Sequence, residues 1–446
     1  MNVAIKREMR EEVDDGGRRR PIPRLQRRLI SDPSETRQYT LGSSTRKMVA
    51  WRSFLPLILV GALIVFENWV SIPSCEVVPN NQPVDVSVED SEELKVMMVA
   101  NLLLLGSEAG YMNLYFRDSY MAKFFRKSYE RLKPDMLVVL GDVSAKGSEL
   151  TSHKWFSVLQ QFQRMVGPFL SLPLHIVVGD RELGECCKVT SKLIDRISSS
   201  LPGLDSSGCG SFEVSNISFF SLNAVALLCG NNGLRFGVEK AIERESIDLK
   251  THIVGTNEAT NDSNRFHVHE NFGSFRWREN AVSSGSGPVL LLHLPLHQTP
   301  NSNCAETGAP KKTFSPLDRW SLRAFYNQEQ AGMGPYELLQ ALPQNATEYI
   351  FHALKPRIIF SAHTHRFCDH THKDGTREVT VPAMTWNARD DPGFIVATFG
   401  RNKAVTISQC SLARESHVIM AYVSVLVLLL STTLITSSSH LLNLGR

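Results

Sequence analysis

Short apolar runs recur along the middle of this chain, and each run ends in a cluster of polar residues. Because the runs lack polar alternation, they are typical of strands that are buried on both faces of a sheet. They occupy residues 94–106, 135–142, 173–180, 288–297 and 356–365. Between the first two runs, apolar residues return every three or four positions over 120–132, which predicts an amphipathic helix. Alternation of buried strands with helices predicts a layered α/β fold.

The polar clusters all follow predicted strands. In α/β sheets, ligands collect beyond the carboxyl ends of the strands, so these clusters predict a single binding site. Residues 239–287 have a different character, since they are polar and rich in Asn, Ser and Gly. We expect an exposed insertion or long loop there.

Two further apolar segments, 53–72 and 418–435, lie near the ends of the chain. Each is long enough to cross the hydrocarbon core of a bilayer, which is about 30 Å thick. The segments therefore predict two transmembrane helices. A cleaved signal peptide is the alternative for the first segment, but the long arm that precedes it favours an uncleaved anchor.

Basic residues crowd the arm at 1–52, for example Arg18, Arg19 and Arg20. This charge predicts a disordered cytosolic arm, a lumenal domain at 73–416 and a short cytosolic tail at 436–446. Two other interpretations of the arm stay open. It could contact lipid or a sorting factor, and Met48 could be the true start, which would leave residues 1–47 out of the mature protein.

The composition is that of an ordinary globular protein, with 446 residues, 42% hydrophobic residues and a formal net charge of +3. So small a net charge gives no global field for nucleic acid. All 8 cysteines lie between Cys75 and Cys410, in the same part of the chain as glycosylation sequons at Asn216, Asn261 and Asn345. Both features agree with a lumenal glycoprotein domain in which disulfides can persist.

Five motifs carry the polar clusters: VANLLLLG at 99–106, GDVSAKG at 141–147, VVGDRE at 177–182, HLPLH at 293–297 and AHTH at 362–365. Over about 95–399 this order resembles the calcineurin-like metallophosphoesterases, whose signature is D-x-H, G-D, G-N-H-[DE], a lone His and G-H-x-H. The stretch EVTVPAMTWNARDDPGF at 378–394 is similar to one branch of that family. That branch is membrane-anchored and remodels glycosylphosphatidylinositol (GPI) anchors in the early secretory pathway.

The resemblance implies a calcineurin-like metallophosphoesterase sandwich, with two mixed β-sheets flanked by helices, held here between two transmembrane helices. It also implies metal ligands at Asp142, Asp180, His293, His363 and His365. The carboxylate at 142 would bridge two metals, and the carboxylate at 180 stands where the family has Asn. The histidines outside the motifs are predicted to be hydrogen-bonded structural residues, namely His267, His269, His297, His370 and His372.

Besides Asp180, three positions depart from the family pattern in ways that change the chemistry of the site. Asn101 and Leu103 stand where the first motif has Asp and His, so a weak amide ligand remains and an imidazole is lost. Arg181 replaces the His of the third motif; its guanidinium can contact a phosphate but does not donate a proton at neutral pH. The second metal site, with Asn101, Asp142 and His365, is therefore expected to be incomplete. One divalent cation, Mn or Zn, is expected at Asp142, Asp180, His293 and His363.

Two functions stay open from the sequence. The first is a hydrolase, a metal-dependent phosphodiesterase that acts on the phosphoethanolamine of GPI anchors and aids export of GPI-anchored proteins. The second is a non-catalytic lumenal receptor or sorting factor that recognises phosphorylated glycans. Either would be an integral membrane protein of the endoplasmic reticulum or Golgi with both termini in the cytosol, and neither would bind nucleic acid.

Overall fold

The structure is a computed structural model, and it describes residues 43–79, 93–184, 189–229, 232–258, 278–279, 287–297, 341–400 and 404–444. Leu55–Arg446 form one compact unit. Of the predicted basic arm at 1–52, residues 1–42 lie outside the described residues. Residues 43–52 are helical rather than disordered, which corrects that part of the prediction. They extend the helix of the following apolar segment, and no Gly or Pro interrupts the chain between Gly42 and Pro56.

The α-helices are α1 (Ser43–Val70), α2 (Asp118–Leu132), α3 (Ser152–Val166), α4 (Asp180–Leu183), α5 (Ser191–Ser198), α6 (Ala224–Cys229), α7 (Asn232–Glu258), α8 (Gln344–Leu354) and α9 (Glu415–Leu444). The strands are β1 (Ser74–Val77), β2 (Leu94–Val99), β3 (Met136–Leu140), β4 (Leu174–Val177), β5 (Gly210–Val214), β6 (Ile217–Leu222), β7 (Arg278–Glu279), β8 (Val289–Leu292), β9 (Ile358–Ser361), β10 (Cys368–Thr371), β11 (Arg377–Thr380), β12 (Gly393–Phe399) and β13 (Val405–Ser411). The five apolar runs are confirmed as β2, β3, β4, β8 and β9, and the amphipathic helix is confirmed as α2.

The strands form two mixed sheets, as the fold prediction expected. The first has the order β1-β13-β12-β2-β3-β4, and the second has the order β10-β11-β9-β8-β6-β5-β7. Strands β2, β3 and β4 run parallel in the first sheet. Strands β6, β8, β9 and β11 run parallel in the second. Parallel neighbours end at the same edge of each sheet, which brings the polar clusters together.

Apolar side chains cover both faces of each sheet. Met98 and Phe360, from different sheets, belong to one buried cluster between the sheets. In that interior, the rings of Phe219 and Phe399 lie 5.7 Å apart between centroids. Met97, the neighbour of Met98, points the other way and packs with Phe125 of α2 in the outer cluster. Burial on both faces is the physical reason that these strands carry no polar alternation.

The insertion predicted at about 239–287 does not begin as a loop, which corrects that part of the prediction. Helix α7 continues to Glu258, and Val238, Ala241 and Ile242 are buried on one side of it. These apolar positions have helical spacing, but the many polar residues around them led to the prediction of a loop. Residues 259–277 and 280–286 lie outside the described residues.

The two predicted transmembrane helices are not confirmed, since one described helix has the length and composition of a membrane span. Within the described ranges, Glu415–Ile435 alone is long and apolar enough to cross a bilayer, with a mean hydropathy of 2.5. The apolar helix Phe54–Val70 is shorter than that criterion requires, so the first span stays a prediction. Both helices contact α2, because the hydroxyl of Tyr120 donates a 2.7 Å hydrogen bond to Glu67 of α1 and lies 3.2 Å from the hydroxyl of Tyr422 of α9. Helices α1 and α9 are thus both joined to the helix that covers the first sheet.

Candidate metal centre

The predicted ligands follow four strand ends, as the sequence pattern indicated. Asp142 follows β3, Asp180 follows β4, His293 follows β8, and His363 and His365 follow β9. The first two strands belong to one sheet and the last two to the other. The centre therefore lies where the edges of the two sheets meet.

Asp180 lies between two histidines with which it could bind a metal ion. Its Oδ1 lies 2.7 Å from His293 Nε2 and 3.1 Å from His363 Nδ1. One ligand atom from each of these three residues lies within 4.8 Å of the others. His293 Nδ1 lies 2.7 Å from the carbonyl oxygen of Leu140 and donates to it, which leaves Nε2 facing the centre. A backbone hydrogen bond of this kind orients histidine ligands in metal sites.

Asp142 lies beside this set and also contacts Arg181. Its Oδ1 is 3.5 Å from His293 Nε2 and accepts a 3.0 Å hydrogen bond from the backbone N–H of Arg181. Its Oδ2 is 3.4 Å from Arg181 Nε. The carboxylate of Asp142 is therefore shared between the imidazole of His293 and the guanidinium of Arg181.

The ionisable side chains of the centre are buried close together, and this shifts their pKa values. Burial and the neighbouring carboxylate of Asp180 raise the pKa of Asp142 to about 7. Burial opposes a charge on His293, but the carboxylates of Asp142 and Asp180 outweigh it and raise its pKa to about 10. Burial likewise opposes a charge on Asp180, yet hydrogen bonds from His293 and His363 hold its pKa below the usual range. A proton on His293 takes the place that a cation would take among these carboxylates, and metal binding must release it.

The other half of the centre has a different donor set. The side-chain amide of Asn101 makes a short hydrogen bond to His365 Nδ1, and its Oδ1 has no hydrogen-bond partner. Leu103 is buried and offers no ligand atom. Burial and the charge of Arg181 lower the pKa of His365 to about 3, so this imidazole is neutral. The donors around Asp180 fit a divalent cation, whereas Asn101 and His365 offer one amide oxygen and one imidazole on the other side of Asp142.

Five positions of the centre share an unusual backbone. Their φ angles are positive: Asn101 53°, Leu103 52°, Asp142 54°, His363 62° and His365 60°. Left-handed backbone is uncommon for residues other than glycine and often marks functional sites. Leu103 adopts it without supplying a ligand.

Glu182 is a structural member of the centre that the sequence reasoning missed. Its Oε2 accepts hydrogen bonds from the backbone N–H groups of Asp142 and Gly179, both at 2.9 Å. Its Oε1 accepts one from Ser144 at 2.9 Å. The acidic position that closes the third motif was the available signal. No side chain fits at Gly179, since a Cβ there would lie 2.3 Å from Asp142 Oδ1.

The histidines predicted to be structural give mixed results. His372 hydrogen-bonds Glu378 at 2.7 Å, as expected. His370 does not follow the prediction fully, because its Nε2 is buried without a hydrogen-bond partner. For His297, the hydrogen bond shown is from its backbone N–H to Thr347 at 2.9 Å. His267 and His269 lie outside the described residues.

The chain is similar to several proteins of known name. No protein-family model matches the chain. Metallophosphoesterase 1 of Danio rerio is 25% identical over 352 residues, which covers 78% of this chain and 83% of the relative. Metallophosphoesterase 1 of Xenopus laevis is 28% identical over 346 residues, which covers 76% of this chain and 78% of the relative. Among solved structures, a dimetal phosphatase from Danio rerio matches 71% of this chain and 98% of its own, with 14% identity and a TM-score of 0.37.

Proposed function

We propose that the chain is a calcineurin-like metallophosphoesterase, which its motifs resemble and its relatives support, and that it is a phosphodiesterase that uses a single divalent cation. The observation that carries the proposal is the donor set around Asp180. Two imidazoles lie at 2.7 and 3.1 Å from one carboxylate oxygen, and Asp142 adds a second carboxylate beside them. Two oxygen and two nitrogen donors suit Mn or Zn.

Arg181 acts in this proposal as a built-in second cation. Its Nε lies 3.4 Å from Asp142 Oδ2, and its charge contributes to the lowered pKa of His365. The guanidinium therefore lies against Asp142 and acts electrostatically on His365, two of the residues assigned to the second half of the centre. A guanidinium held there can bind the non-bridging oxygens of a phosphodiester through two parallel hydrogen bonds.

The proposed reaction is hydrolysis of a phosphodiester. The oxygen of a water bonds to phosphorus, the bond from phosphorus to the leaving alcohol breaks, and the alkoxide takes up a proton. A divalent cation at Asp142, Asp180, His293 and His363 would polarise a phosphoryl oxygen and lower the pKa of the attacking water. Arg181 occupies the position of the family's proton donor but keeps its own proton. We therefore expect slow turnover, because proton transfer typically contributes about 10²–10⁴ in rate.

The substrate and location belong to the same proposal. The resemblance at 378–394 supports the phosphoethanolamine of GPI anchors as substrate, with GPI-anchored proteins as cargo. The Cys75–Cys410 disulfide supports an oxidising compartment, and the helix Glu415–Ile435 supports a membrane anchor. We propose an integral protein of the endoplasmic reticulum or Golgi membrane, with its domain in the lumen and its termini in the cytosol.

Full-length protein in detergent tests the catalytic proposal. Release of phosphoethanolamine from a GPI glycan should require Mn or Zn and stop after chelation. Asp180→Ala should abolish both metal binding and release, because Asp180 lies between His293 and His363. Asp195→Ala removes an exposed carboxylate on α5 and is the matched control. Release that persists in the metal-free Asp180→Ala protein would reject the proposal.

A non-catalytic receptor is the second candidate. It is favoured by the second half of the centre, where Asn101 contacts His365 and the apolar Leu103 fills a ligand position. Export of GPI-anchored proteins in cells separates the two functions. A catalyst should lose export with either Asp180→Ala or Arg181→Ala, whereas a receptor that binds phosphate through Arg181 should lose it only with Arg181→Ala.

A further inference from the structure

A second cluster of metal-binding side chains lies on the β-hairpin formed by β10 and β11. His370 and Glu378 are direct partners across the two antiparallel strands. His372 follows His370 by two positions and therefore projects from the same side of the chain. The hairpin thus presents two imidazoles and one carboxylate on one face, in the sequence pattern H-x-H-x5-E.

The three side chains converge closely and are nearly closed to solvent. Glu378 Oε2 lies 2.7 Å from His372 Nε2 and 3.6 Å from His370 Nε2. One ligand atom from each residue lies within 4.8 Å of the others. The side chains of His370, His372 and Glu378 are 9%, 8% and 0% exposed.

A hydrogen-bonded structural cluster explains only part of this arrangement. The pair of His372 and Glu378 is satisfied as a hydrogen bond. His370 Nε2 is not, because it is buried and makes no hydrogen bond. The other ring nitrogen, Nδ1, lies 3.9 Å from Cys368 Sγ, so Nε2 is the ring nitrogen left without a partner. A buried polar atom without a partner is costly, and a bound ion is one of the few ways to satisfy it.

The donor set also matches one class of metal. Two His nitrogens and one carboxylate oxygen are a common protein ligand set for zinc, with the fourth tetrahedral position left for water. Zinc bonds of about 2.0–2.1 Å place neighbouring ligand atoms roughly 3.3 Å apart in a tetrahedron. The observed 2.7 and 3.6 Å lie on either side of that value.

We propose that His370, His372 and Glu378 form a zinc site that is separate from the candidate centre around Asp180. The zinc would fix the hairpin to the segment that carries His293, because Glu378 Oε1 also accepts a hydrogen bond of 3.2 Å from the backbone N–H of Leu296. The ring of His372 packs on Phe351 of α8, with 5.0 Å between centroids, which holds the site from the other side. This proposal does not depend on phosphodiesterase activity.

The test uses full-length protein purified without a polyhistidine tag. Asp180→Ala removes the first centre, and elemental analysis after equilibration in a zinc buffer counts what remains. One zinc per chain is expected. Adding His370→Ala should weaken zinc binding by more than about 100-fold, since loss of even an outer-shell partner costs 10–100-fold. His153→Ala, which removes an exposed histidine of α3, should change nothing.

Cobalt provides a second readout that does not depend on stoichiometry alone. Cobalt in place of zinc should give the strong visible absorption of tetrahedral coordination in the Asp180→Ala protein, and this absorption should vanish with His370→Ala. His370→Gln keeps a polar side chain of similar length and guards against misfolding of the Ala variant. Absence of zinc from the Asp180→Ala protein, or zinc content that neither His370 variant changes, would overturn the proposal.

Discussion

Leu103 adopts a left-handed conformation at φ 52° although it supplies no ligand, and Asn101 does the same at φ 53°. Left-handed backbone costs an ordinary residue about 1–2 kcal/mol. Asn101 and Leu103 nevertheless keep the local geometry that aims the first motif at Asp142 and His365. A backbone hydrogen bond of 3.0 Å from Leu103 to the carbonyl oxygen of Asp142 holds this geometry in place.

Restoring the two family side chains should therefore restore the second half of the centre. Asn101→Asp combined with Leu103→His is expected to raise bound metal from one equivalent to two at the candidate centre. Elemental analysis is the measurement, made in a His370→Ala background so that the hairpin cluster does not contribute. Leu105→His, two positions further on, is the control. A count that stays at one would mean that Arg181 holds the second position, and adding Arg181→His should then raise it.

Glu182 offers a second residue-level prediction, because one carboxylate serves three backbone donors. Glu182→Gln would turn an N–H group toward at least one of the N–H donors of Asp142, Gly179 and Ser144. Leaving buried donors unsatisfied costs about 1–3 kcal/mol, so chemical denaturation should report a loss of that size. Metal affinity should fall about 10- to 100-fold, because the backbone that holds Asp142 and Asp180 is no longer fixed. Glu149→Gln, a glutamate outside the centre, provides the comparison.

At the scale of elements, strand β1 closes the first sheet against β13 and joins the two ends of the domain. Cys75 and Cys410 are direct register partners on these strands, and their disulfide spans 335 residues of sequence. Cys75 comes shortly after α1, and Cys410 shortly before α9. The disulfide therefore fixes the positions from which the two apolar helices leave the domain.

Cys75→Ser is expected to lower the free energy of unfolding by about 2–5 kcal/mol, because it releases a long loop in the unfolded chain. Denaturation of the full-length protein under non-reducing conditions would measure this loss. Cys209→Ala removes the buried free thiol and should cost less than half as much. Equal losses in the two variants would argue that general packing, rather than the cross-link, stabilises the edge of the sheet.

At the scale of the whole molecule, the interior contains a titratable group outside both metal clusters. His175 on β4 is fully buried, and neither ring nitrogen has a hydrogen-bond partner. Its ring packs against Phe212 with 4.5 Å between centroids. Burial lowers the pKa of His175 to about 3. The folded protein therefore binds fewer protons at this site than the unfolded chain once the pH falls below about 6.5.

The free energy of unfolding therefore falls as the pH falls from about 6.5 toward 3, because the unfolded chain takes up a proton at His175 that the folded protein does not bind. The loss is about 1.4 kcal/mol per pH unit. At pH 5 this amounts to about 2 kcal/mol relative to neutral pH. His175→Phe should remove that part of the acid sensitivity. Urea denaturation at pH 7.5 and pH 5 would show a smaller pH effect in this variant, whereas His153→Phe at an exposed position should leave the difference unchanged.

The amino-acid sequence by itself predicted the buried strands, helix α2 and the candidate ligands. Fully apolar runs predicted the buried strands because such strands need no polar alternation, and the motif order placed Asp142, Asp180 and His293 in one site. On the resemblance to the family, the sequence also predicted a lost ligand at Leu103 and a lost proton donor at Arg181. These properties depend on local pattern and side-chain chemistry, which a linear sequence carries.

Only the tertiary structure decided how those side chains are used. Asn101 meets His365 across 264 positions of sequence, and Asp180 meets His363 across 183. The bracing role of Glu182 and the convergence of His370 with Glu378 likewise became visible only once the strands were paired. Such contacts depend on sheet register and on which face a strand turns inward. Packing of the two sheets fixes both, and no local pattern encodes them.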